Sequence, residues 1–120
     1  MISRIKYYAI IILLTATTSS HAANSIPSEF HGKWTSEKSK CKFFEEYGAP
    51  DTGAKIDAKS VSYYELGCTL KKVVKQSGSS FTGKFACMGE GDTQMTTISI
   101  KKDPSGPLTL NGEPLPVRCK

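Results

Sequence analysis

From Lys55 to the C-terminus, apolar residues recur at every second position, and turn signals interrupt them at intervals too short for helices. The clearest pair of such segments is Cys68 to Gln76 and Ser79 to Cys87, joined at Ser77-Gly78. In the first, Leu70 and Val74 share a face with Cys68, while Thr69, Lys71 and Lys75 share the other. In the second, Phe81, Phe85 and Cys87 face one way, and Thr82 and Lys84 the other. Two residues break the alternation, which places Lys72 inside and Val73 outside. A two-residue turn at Ser77-Gly78 sets Val74 opposite Phe81, Leu70 opposite Phe85 and Cys68 opposite Cys87, with Lys72 over Gly83. A four-residue turn, Ser77 to Ser80, keeps these faces but makes the two cysteines diagonal neighbours. Opposed residues in an antiparallel pair lie about 4.5–5.5 Å apart, within reach of a disulfide.

The remaining segments obey the same period. Ser60 to Leu66 reads as a strand, and Gly89-Glu90-Gly91-Asp92 turns the chain into Thr93 to Lys101, which alternates around Ile98 and Ile100. Leu108 and Leu110 precede Asn111-Gly112, a type I′ turn signal, and Leu115, Val117 and Cys119 alternate after it. Phe30-His31-Gly32-Lys33-Trp34 reads as an opening strand, preceded by a loosely held lead-in over residues 23–29. Cys41, Phe44 and Tyr47 recur at three-residue spacing before Gly48, which fits a short helix near residues 36–47. The chain is therefore expected to be all-β: an antiparallel meander closing into a small barrel of about 6–8 strands, which removes the exposed edges. Its interior is expected to hold Leu70, Val74, Phe81, Phe85, Ile98, Ile100, Leu108 and Leu110, leaving little room for a ligand.

The N-terminus bears on compartment. Arg4 and Lys6 precede the mostly apolar run Tyr7 to Ala16, and Ser20-His21-Ala22 supplies small residues at a cleavage site. Ten residues rise only about 15 Å as a helix, half a bilayer core. Residues 1–22 are thus expected to be a cleaved export signal, and residues 23–120 a single domain in the periplasm or outside the cell. Two of the 16 Lys and Arg and none of the 11 Asp and Glu fall in the signal, so the exported part carries a mild net charge of +3. Nothing in that charge favours a nucleic-acid partner.

An even number of cysteines in a small exported domain predicts a disulfide framework. The hairpin register pairs Cys68 with Cys87, which leaves Cys41 for Cys119. Zinc is disfavoured, because no C-x-x-C spacing exists and the exported part keeps one histidine, His31. No cofactor is expected.

Other candidate chemistry is thin. Asp51-Thr52-Gly53-Ala54 matches the short aspartic-protease motif, but Tyr47-Gly48-Ala49-Pro50 before it is no apolar strand. Glu45 and Glu46 are adjacent, so their side chains diverge. Glu90 and Asp92 flank a turn glycine and fall short of the six to eight or so oxygens that calcium takes. His31 has no nucleophile motif beside it and reads as structural. No set of nucleophile, base and orienting group assembles, so an enzyme is not expected. What remains is surface. Lys71, Lys75 and Lys84 fall on the outward face of the central hairpin, and Phe43-Phe44 and Tyr63-Tyr64 each turn one aromatic outward. Lys71, Lys75, Lys84, Phe43 and Tyr47 are the candidate binding surface, for charge and aromatics together suit a protein partner.

The run from Phe30 to Trp34, the cysteines at 41, 68 and 87, Phe85-x-Cys87-x-Gly89-Glu90-Gly91 and the terminal Val117-Arg118-Cys119 together resemble a group of small exported bacterial proteins with a G-x-W opening and four cysteines. Gly32-x-Trp34 is also similar to the opening of lipocalin-type barrels. Ser77-Gly78-Ser79-Ser80-Phe81 resembles, with Phe for Tyr, the S-G-x-x-Y signature of periplasmic inhibitors of c-type lysozyme, which are compact β-barrels. These likenesses imply a barrel, and the last implies an inhibitor of another protein. The expected function is a periplasmic protein-binding module, an inhibitor or immunity-type protein. The alternative is a lipocalin-like binder of a small ligand or envelope polymer.

Overall fold

The computed structural model describes residues 24–120. The expected export signal, residues 1–22, lies outside the described residues. Nine strands form one antiparallel sheet: β1 (Gly32–Thr35), β2 (Gly53–Ile56), β3 (Ser60–Tyr63), β4 (Leu66–Ser77), β5 (Ser80–Gly89), β6 (Asp92–Lys102), β7 (Leu108–Leu110), β8 (Glu113–Leu115) and β9 (Val117–Cys119). One short helix, α1 (Phe43–Tyr47), lies between β1 and β2 and ends at Gly48, whose φ is 80°.

Their lateral order is β8-β7-β6-β5-β4-β3-β2-β1-β9. Every neighbouring pair is antiparallel. Eight reversals separate β8 from β9, so the two run in the same direction, and only Pro116 stands between them. They are halves of one strand, the first paired with β7 and the second with β1. That shared strand curls the sheet into a nearly closed barrel. Proline suits the join, since it lacks the N–H that a continuous ladder would demand.

The central hairpin reconciles both turn readings. Near the cysteines the pairing is Cys68↔Cys87 and Leu70↔Phe85, as the shorter turn requires. At the tip it is Gln76↔Phe81 and Ser77↔Ser80, so the turn residues are Gly78 and Ser79. Two irregularities in β4, between Leu70 and Lys72 and between Val73 and Lys75, absorb the difference. Each inserts one residue, and each flips the side-chain parity after it. Val73 therefore turns inward opposite Gly83 and packs against the core, while Lys72 points outward opposite Lys84. Val74, expected inside, is the inserted residue of the second bulge and is 51% exposed. Gly83 leaves the room for this: a Cβ would lie 2.8 Å from Leu70 Cδ1 and 3.1 Å from the Lys72 carbonyl.

The barrel interior is filled by side chains. Trp34, Ile56, Val61, Phe81, Phe85, Ile98, Ile100 and Leu108 are buried, with Leu110 and Leu115 beside them. Phe81 and Phe85 meet edge to face with centroids 6.5 Å apart. The lead-in is not loose. Ile26 and Phe30 are buried in the same cluster, and a 3-10 turn at Ser28–Phe30 closes one end of the barrel. Ile26 donates its N–H to Ala58, and His31 Nε2 donates to the Ile26 carbonyl at 2.7 Å. Apolar burial drives the reversal: two large side chains leave water, and the Ile26 N–H and carbonyl both find partners as the segment orders.

Both disulfides pair as expected, Cys41 with Cys119 and Cys68 with Cys87, at Cα separations of 5.5 and 4.0 Å. The first ties the segment before α1 to the last strand.

Candidate functional site

Helix α1 is too short to hold itself and is positioned by its neighbours. Cys41 anchors its start through the disulfide, and Phe44 is buried, while Phe43 and Tyr47 turn outward. Gly53 makes this possible, since a Cβ there would lie 2.8 Å from Pro50 Cγ and 3.3 Å from Phe44 Cζ. One turn apart on the helix, Phe43 and Tyr47 stack with centroids 6.0 Å apart. Tyr64, at the β3–β4 turn, meets Tyr47 edge-on at 6.5 Å. The ammonium groups of Lys40 and Lys42 sit 5.3 and 5.6 Å from the Phe43 ring centroid. An open groove of about 320 Å³ runs here, lined by Lys40, Phe43, Tyr47, Pro50, Asp51 and Tyr64. Tyr47 and Tyr64 are 58% and 46% exposed, so the groove presents ring surface to solvent.

The structure divides the five expected surface residues. Phe43 and Tyr47 share this groove, but Lys71, Lys75 and Lys84 do not line it. Those three are exposed on the central hairpin, with Lys71 as the inserted residue of the first bulge. Lys71 instead borders an open groove of about 610 Å³ with Ser60, Thr69, Ala86, Met88 and Thr93. The cations beside the aromatics are Lys42, which opens the stretch to Tyr47 where charge and aromatics come together in the sequence, and Lys40, which sequence reasoning did not single out. The signal was there, because both flank Cys41 within a few residues of Phe43. Met88 and Met95, 63% and 61% exposed, were also passed over. Alternation places Met88 outside as the neighbour of inward Cys87.

The remaining candidates have local explanations. Asp51 is exposed in the turn before β2, while Gly53 and Ala54 are buried against Trp34 and the core. Glu45 and Glu46 lie exposed on α1, and Glu90 occupies the β5–β6 turn at φ 49°. Ser77 and Ser80 face each other with hydroxyls 2.7 Å apart, so Ser77-Gly78 belongs to turn geometry. Among the described residues no three His, Cys, Asp or Glu side chains gather as metal ligands. A second recess of about 310 Å³, away from the end closed by Ile26 and Phe30, is lined by Tyr63, Leu66, Ile98, Leu110 and Glu113. Burial, and then the charge of Glu113, push the Tyr63 phenol up to about 12.

No helix among the described residues is long and apolar enough to cross a membrane. Comparison with protein-family models, with curated proteins and with solved structures finds no match.

Proposed function

We propose that the protein is an exported binding module that acts on another protein through its outer surface, as an inhibitor or immunity-type protein does. One observation carries this reading: exposed Tyr47, stacked on half-buried Phe43 and met edge-on by exposed Tyr64, stands beside Lys40 and Lys42 on a barrel whose interior is filled. Rigid aromatics with two rotatable bonds give contact area at little entropic cost, and neighbouring cations steer an acidic partner. Lys71, Lys75 and Lys84 add exposed positive charge on the central hairpin, outside the aromatic groove. Two disulfides and the N-terminal export signature fit a periplasmic or secreted location.

The test is capture of a partner from periplasmic extract on the tagged protein, followed by kinetics with the purified partner. A Tyr47→Ala/Tyr64→Ala variant should weaken binding by about tenfold or more. A Lys71→Glu/Lys75→Glu variant should slow association and leave dissociation nearly unchanged. A partner whose affinity ignores the aromatic pair removes this groove as the site, and turnover of a substrate removes the binding reading altogether.

The alternative, a lipocalin-like binder of a small ligand, draws on the recess between Tyr63, Leu66 and Leu110 at the barrel mouth. Saturable binding of an apolar probe, abolished by Leu110→Trp, would favour it.

A further inference from the structure

Besides the outer sides of β8 and β9, the sheet leaves a stretch of β4 and a stretch of β6 without a neighbour among the described residues, and these two are built differently. Beyond Leu70, β4 has no partner on its β3 side, and this edge carries Lys71, Lys72 and Lys75 and both bulges. Charge and irregularity are the usual means of stopping a second chain from pairing with an edge. The edge of β6 has neither. Its ladder with β5 runs from Ser80↔Lys101 to Gly89↔Asp92 without a register shift. β7 covers only Ile100 to Lys102, and residues 92–97 are exposed. Thr93, Gln94, Met95, Thr96 and Thr97 carry no charge and no proline.

The direction of the backbone groups along that edge follows from its covered end. Ser99 accepts from the Asn111 N–H and donates to Asn111 Oδ1, both at 2.8 Å, so its N–H and carbonyl point away from β5. Lys102, of opposite parity, donates to Ser79 on the β5 side. By alternation, Thr93, Met95 and Thr97 present both N–H and C=O to the open edge, while Gln94 and Thr96 are bonded to β5. Asn111 ends the covered stretch by mimicking a strand with its side chain.

We propose that a second copy of this chain pairs with this edge, β6 against β6, antiparallel about a twofold axis at Met95. In that register Met95 meets Met95, and Thr93 meets Thr97 twice, so every outward-pointing residue of the open stretch exchanges backbone hydrogen bonds. A shift by two positions either way would draw in Gly91 of the turn or Ser99, already held by Asn111. The side chains agree with this register. Thr93, Met95 and Thr97 stand on the outer face, where Met95 pairs across β5 with Ala86 and Thr93 with Met88. Joining two copies at Met95 makes one apolar strip from the four methionines, two of which are exposed on each copy. So short an edge buries less than the roughly 1,200 Å² of a stable interface, so the dimer is weak and depends on concentration.

The experiment is sedimentation equilibrium of the purified, disulfide-intact protein from about 10 μM to about 1 mM, with amide hydrogen exchange at both ends of that range. A monomer–dimer equilibrium is expected, with the amides of Thr93, Met95 and Thr97 slowing at high concentration and those of Gln94 and Thr96 unchanged. Thr93→Lys/Thr97→Lys should weaken self-association by about tenfold or more. Met95→Pro should do the same, since the N–H it removes faces the open edge. Unchanged disulfide maps and near-ultraviolet circular dichroism verify that both variants are folded. A protein that stays monomeric to 1 mM, or a dimer indifferent to the paired lysines, overturns the proposal. So does protection that rises at other amides instead.

Discussion

Arg118 on the last strand lies across the face of Trp34 on the first, its guanidinium carbon 5.0 Å from the ring centroid. The two residues are direct partners in the β1–β9 ladder, and the guanidinium also donates to the carbonyl of His31. Trp34 in turn donates its indole N–H to the Phe30 carbonyl at 3.0 Å. Gly32, at φ 138°, leaves the space: a Cβ there would stand 2.9 Å from Arg118 Nε. First strand, last strand and N-terminal plug are thus locked at one point, where the barrel closes.

Removing that lock has a measurable cost. Arg118→Ala should lower stability by about 1–2 kcal/mol, the sum of a cation–π contact and a hydrogen bond. Arg118→Lys should recover only part, because an ammonium cannot lie flat on the indole and still reach the carbonyl in the same fork geometry. Urea unfolding followed by fluorescence reads this directly, since Trp34 is the single tryptophan. A variant as stable as the wild type would show that the contact contributes nothing.

The two disulfides should differ in weight. Cys41–Cys119 spans a sequence separation of 78 and Cys68–Cys87 one of 19. Chain entropy assigns them about 4.5 and about 3 kcal/mol. Thermal unfolding of Cys41→Ala/Cys119→Ala should therefore occur at a lower temperature than that of Cys68→Ala/Cys87→Ala. Non-reducing peptide mapping of the native protein should yield these two linkages and no Cys41–Cys68 or Cys41–Cys87 peptide.

The N-terminal plug makes its own prediction. Ile26 is 1% exposed, so Ile26→Ala should destabilise by about 2–4 kcal/mol. A loose lead-in would lose almost nothing, so denaturant midpoints of this one variant separate the two descriptions.

Tyr63 provides a titration signature. Its phenol ionises near 12, above the ordinary value of 10.0, because burial and then Glu113 disfavour the anion. Between these values the folded chain holds a proton that the unfolded chain has released, so the contribution is present below pH 10 and lost as pH rises toward 12. Ultraviolet titration should show one tyrosine ionising late, and Tyr63→Phe should remove that late step.

Alternation and turn chemistry made much of the barrel legible beforehand. The strands from Ser60 onward, the inward Phe81, Phe85, Ile98 and Ile100, and the Cys68–Cys87 pairing follow from period two and turn position, and Cys41–Cys119 is what elimination leaves. The bulges did not, although the sequence marked them. Lys72 and Val73 violated the alternation, yet a pattern break does not say whether one side chain is misplaced or the whole strand has changed parity. The lead-in was missed for another reason: Ile26 and Phe30 sit among Ser, Pro and Glu, where no period shows which side chain will find a core.

What the sequence by itself determined is local: which residues extend, where the chain turns, and which cysteines the hairpin register brings opposite one another. These follow from backbone sterics and side-chain parity within a few residues. Tertiary structure alone decided the relationships between distant segments. It set Arg118 on Trp34, split Glu113 to Cys119 at Pro116 between two neighbours, and brought Tyr64 to Tyr47 with Lys40 and Lys42 in attendance. It also left the edge from Thr93 to Thr97 open while the bulges and lysines guarded β4. Such contacts depend on how far the sheet curls before its ends meet. That curvature is a sum of small twists over every strand, fixed by packing in the filled interior.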